Sequence, residues 1–95
     1  MKKDAIDMQL HMAVKALAIL QGEIVCNLKE LIKKAKLLLE KEEEGEEANH
    51  LLEMISDNVN ELNELFGHKK DLLKQIKNLE RMQNELLRRE KCRQT

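Results

Sequence analysis

Ninety-five residues hold one domain at most, and with 42% apolar and 37% charged residues the chain is too apolar to be disordered. It has no proline, three glycines and Phe66 as its only aromatic, and Leu, Glu, Lys, Ile, Met and Ala dominate, which predicts an all-α fold. A formal net charge of −1 argues against a partner held by bulk electrostatics, such as a nucleic-acid backbone.

Near the start, Asp4 and Asp7 interrupt the apolar stretch that a secretory signal needs. The run Ala16 to Leu20 is far short of the roughly 20 apolar residues that span a bilayer. Cys26 and Cys92 are widely separated, without paired-thiol or metal-ligand spacing, which suits a reducing compartment. The expectation is a soluble intracellular protein, cytoplasmic or nuclear, with no cofactor.

The first element is a helix over about 3–44. Leu10, Val14, Leu17, Gln21, Ile24, Leu28, Leu31, Ala35 and Leu38 recur at steps of four and three, a heptad seam broken only by the glutamine. Ala18, Val25, Ile32 and Leu39 widen this face. The pattern stops at Glu40–Glu47, where Gly45 is placed to end the helix in a left-handed residue. Glu46 and Glu47 suit the first turn of the next.

The second helix is predicted over about 47–91, with Leu52, Ile55, Val59, Leu62 and Phe66 as its first seam residues. Leu65, Leu72, Ile76, Leu79 and Leu86 continue it, so the seam slips sideways near Phe66. Folding back at Gly45 makes a long antiparallel coiled-coil hairpin in which facing residue numbers total roughly 90. Leu38 then lies near Leu52 and Ile24 near Phe66. Gly22 and Gly67 come to similar heights, which suggests either coincidence, a shared bend, or a place where another backbone approaches.

Two helices bury one stripe each, yet the first is apolar on nearly every side from Ala5 to Cys26, including Ile6, Ala13 and Leu20. A second copy of the chain, or another helical protein, is expected to cover this region in a four-helix bundle. The expected interface comprises Met12, Ala13, Ala16, Leu17, Ile19, Leu20 and Cys26. Met8 and Met12 would add adaptability there. The rod is also polarised: six glutamates crowd Glu40–Glu47, whereas Lys2, Lys3, Arg81, Arg88, Arg89, Lys91 and Arg93 gather at the other end.

Other functions find less support. A basic region that reads the major groove leads into its leucine repeat from the N-terminal side; here Arg88, Arg89, Lys91 and Arg93 follow the leucines. Membrane-surface helices carry lysine and arginine along one polar face, but these faces mix both signs. Ser56 and Thr95 are the only hydroxyl side chains, and His11, His50 and His68 are isolated. No catalytic, metal or phosphate-binding motif surrounds them. The reading is a non-enzymatic coiled-coil assembly module, a structural subunit of a larger intracellular helical complex. Its alternative is a small helical chaperone or adaptor that sheathes an amphipathic segment of a client.

Overall fold

The computed structural model describes residues 3–93, with side chains through Lys91. Lys2 and the side chains of Cys92 and Arg93 lie outside the described residues. Two helices, α1 (Lys3–Glu44) and α2 (Asn49–Arg93), pack side by side in a rod of 76 × 16 × 15 Å. The described residues contain no strand. The fold is a helical hairpin.

The reversal is built by backbone hydrogen bonds. Gly45 has φ of 73°, the left-handed conformation that glycine adopts without a Cβ clash. The Gly45 amide then donates to the Glu42 carbonyl at 3.1 Å, and the Glu46 amide to the Lys41 carbonyl at 2.9 Å. This pair of bonds satisfies carbonyls that the end of a helix leaves unpaired. Lys41 Nζ adds a 3.4 Å ion pair with Glu46 across the turn. Buried Ala48 leads into α2, its carbonyl accepting from the Leu52 amide at 2.9 Å. Glu46 and Glu47 thus belong to the connection rather than to the first turn of α2.

Burial defines one inward row on each helix. On α1 it is Ile6, Leu10, Ala13, Leu17, Leu20, Ile24, Asn27, Leu31, Lys34, Leu38 and Lys41, stepping by four and three throughout. On α2 it is Leu51, Ile55, Asn58, Leu62, Leu65, Lys69, Leu72, Ile76, Leu79, Gln83 and Leu86, equally unbroken, with buried Ala48 three residues ahead of it in the connection. The core gathers in two clusters. Ile6, Ala13, Ile76 and Leu79 form the one at the open end, with Leu10, Leu17, Leu72 and Leu86 against them. Leu20, Ile24 and Leu62 form the one at mid-rod, with Leu31, Leu65 and Leu72.

These rows correct the predicted seam. Leu10, Leu17, Ile24, Leu31 and Leu38 lie on it, as do Leu62, Leu72, Ile76, Leu79 and Leu86, but Val14, Leu28, Leu52, Val59 and Phe66 are exposed. They occupy the row next to the buried one. The slip near Phe66 vanishes with them, because Leu51, Asn58 and Leu65 carry the seam straight through. What hid that row is its polar content. Asn58 is only 6% exposed; it accepts from Lys34 Nζ, and its Nδ2 donates to the Asn27 carbonyl at 3.3 Å. A buried amide with both ends satisfied is tolerated, and it favours one pairing of the helices over others. Near the open end Gln83 Nε2 donates to Asp7 Oδ1 at 2.8 Å. These long-range partners keep to the register total of roughly 90.

Candidate interaction surface

Moving along either inward row by one residue turns about 100° round the helix. On α1 this step gives Val14, Ala18, Gln21, Val25, Leu28, Ile32, Ala35 and Leu39, a second seam at steps of four and three, all of it exposed. On α2 the same step gives Leu52, Val59, Phe66, Leu73 and Leu87, interrupted by Glu80 and alternating with polar residues such as Ser56 and Asn63. The helices run in opposite directions, so equal rotations about their own axes carry both rows to one side of the hairpin. The opposite flanks agree: Ala16 and Glu23 of α1 line a shallow groove of about 410 Å³ with His68 and Gln75 of α2.

Ten of the sixteen exposed large apolar side chains among the described residues therefore share one face, each between 37 and 60% exposed. That density exceeds the scattered apolar residues of an ordinary surface. The remaining six are Met8, Met12, Ile19, Leu37, Met54 and Met82. Ile19 borders the groove on the far side.

The expected interface residues separate in the structure. Ala13, Leu17 and Leu20 are in the hairpin core against α2. Met12, Ala16, Ile19 and Cys26 are exposed, turned away from the continuous apolar face. The all-round apolar character of α1 thus has three sources: the inward row, the second seam, and the short Met12–Ile19 patch. Ile32, Leu39, Leu52 and Val59 extend the exposed face into the turn half, well beyond Cys26. The signal for it was present in the sequence as two interleaved seven-residue patterns.

Charge follows the rod. All six glutamates from Glu40 to Glu47 are exposed at the turn, and Lys3, Arg81, Arg88, Arg89 and Lys91 are exposed toward the open end. Gly22 and Gly67 point outward, with nothing within 4 Å of a Cβ added at either, so no backbone of the hairpin approaches them. Both helices run through their glycine without interruption.

His11, His50, His68, Ser56 and Cys26 are all exposed. Among the described residues no group of three or more His, Cys, Asp or Glu side chains is placed to hold a metal ion. No described helix is long and apolar enough to cross a membrane. No protein-family model, curated protein or solved structure matches the chain.

Proposed function

We propose that this chain is a non-enzymatic assembly module, a structural subunit of an intracellular helical complex, that binds other helices on the outer face of its hairpin. The observation that carries this reading is the second seam. A heptad row of Val14, Val25, Leu28, Ile32 and Leu39 has the spacing that inserts side chains between those of a neighbouring helix, yet the hairpin leaves it in water. The row on α2 continues the same surface across the rod. Two seams about a right angle apart are what each helix of a four-membered bundle presents to its two neighbours.

The test is site-specific photo-crosslinking in the cell of origin, with the reactive residue at Leu28 or at Glu30. Adducts with a helical partner, itself or another protein, should form from position 28 and be scarce from position 30. Equal yields from the two positions, or none from position 28, would overturn the reading. A client-sheathing adaptor would show a heterogeneous set of adducts from position 28 in place of a discrete one.

A further inference from the structure

Resting on that reading, we infer that the occupant of the outer face is a second copy of this chain, lying antiparallel so that each turn meets the other copy's open end. Area is the first argument. In projection the face measures 76 × 16 Å, on the order of 1,200 Å², against about 800 Å² per partner for a stable interface. Charge is the second. A two-fold axis across the middle of the rod lays the exposed glutamates of the turn beside Lys3, Arg81, Arg88 and Arg89 of the other copy. A parallel pair would stack the six glutamates on six more, a like-charge juxtaposition.

Register is the third argument. The midpoint of α1 near Glu23 lies level with Phe66, since Ile24 and Leu65 pack in one cluster there. An axis at that height sets Phe66 against its own copy. By the same symmetry Val59 meets Leu73 of the other copy, and Val14 meets Ile32. The middle of the apolar row of α2, Val59, Phe66 and Leu73, is thus self-complementary about its only aromatic ring, as a two-fold interface requires, while Leu52 comes level with Glu80. Each α1 then packs its second seam on the other α1, and the dimer is a four-helix bundle with opposite charges paired at both ends.

The experiment uses the full chain with Cys26→Ser and Cys92→Ser, and a spin label attached through Glu43→Cys at the tip. Sedimentation equilibrium should give a dimer, and pulsed dipolar spectroscopy a label-to-label distance on the order of 60 Å, the length of about 40 helical residues. Charge reversal at Glu42, Glu43 and Glu46 to lysine should weaken the dimer roughly tenfold at low salt. Adding Arg81→Glu, Arg88→Glu and Arg89→Glu should restore it. A tip-to-tip distance under 30 Å would overturn the antiparallel arrangement. A well-folded monomer across the concentration range would overturn self-docking altogether. The assembly reading would survive that result, because crosslinks from position 28 to a different protein test it separately.

Discussion

The open half of this rod and its turn half solve the same packing problem with different residues. In the open half the inward row of α1 reads Ile6, Leu10, Ala13, Leu17, Leu20 and Ile24, while the row one residue on includes Asp7, His11 and Gln21. Toward the turn the contrast reverses. The inward row takes in Asn27, Lys34 and Lys41, and the outward row becomes Val25, Leu28, Ile32, Ala35 and Leu39. A continuous helix cannot turn one face inward at one end and another face at the other. The open half, with the larger apolar imbalance, sets the rotation for both. The turn half accepts a polar layer in its seam and leaves its more apolar face outside. That face is where a further helix gains most by docking.

Cutting the open-end core should weaken the hairpin most. Leu79→Ala removes a side chain from a fully apolar cluster and should destabilise the hairpin by about 2–4 kcal/mol in urea unfolding followed by circular dichroism. A loss under 1 kcal/mol would mean that the open end does not hold the rod together. Asn58→Leu combined with Lys34→Leu should behave differently, changing stability by less than about 1 kcal/mol, since replacing both partners of a satisfied buried polar pair by apolar side chains is nearly neutral. Its effect should instead be a mixture of species in sedimentation velocity, because the amide that discriminates between pairings is gone. A single sharp species would show that Asn58 does not select the register.

The smallest expected effect lies at the two outward glycines. Gly22→Ala and Gly67→Ala fill open space on outward helix positions and should each stabilise by up to about 1 kcal/mol. A variant that melts higher but no longer assembles would mean that another backbone approaches at these heights.

The helical class, the reversal at Gly45 and the approximate register were legible in the sequence. Helix-favouring composition, an interrupted seam and one glycine suffice for those. The rotation of each helix was not. Val14, Leu28, Leu52, Val59 and Phe66 make a more apolar row than Asn27, Lys34, Asn58 and Lys69, so apolarity alone selects the wrong seam for the turn half. What resolves it is pairing: Asn58 has Lys34 and the Asn27 carbonyl as partners, which makes an inward asparagine acceptable. Partners 24 and 31 residues away in the chain leave no local trace. The candidate surface suffered the same way. Ala13 and Leu20 were expected on it because alternate members of the predicted seam, Val14 and Gln21, stand one residue past the buried ones, and Leu17, expected both in the seam and on the surface, lies in the core.

The most direct test compares two adjacent residues. Ile24 is 5% exposed on the inward row and Val25 is 48% exposed on the outward one. Each is changed to lysine, and helicity, thermal melting and sedimentation are measured side by side. Ile24→Lys should abolish cooperative melting, whereas Val25→Lys should leave a helical, cooperatively melting hairpin that no longer assembles. If Val25→Lys unfolds the chain and Ile24→Lys is tolerated, the inward and outward faces have been assigned the wrong way round.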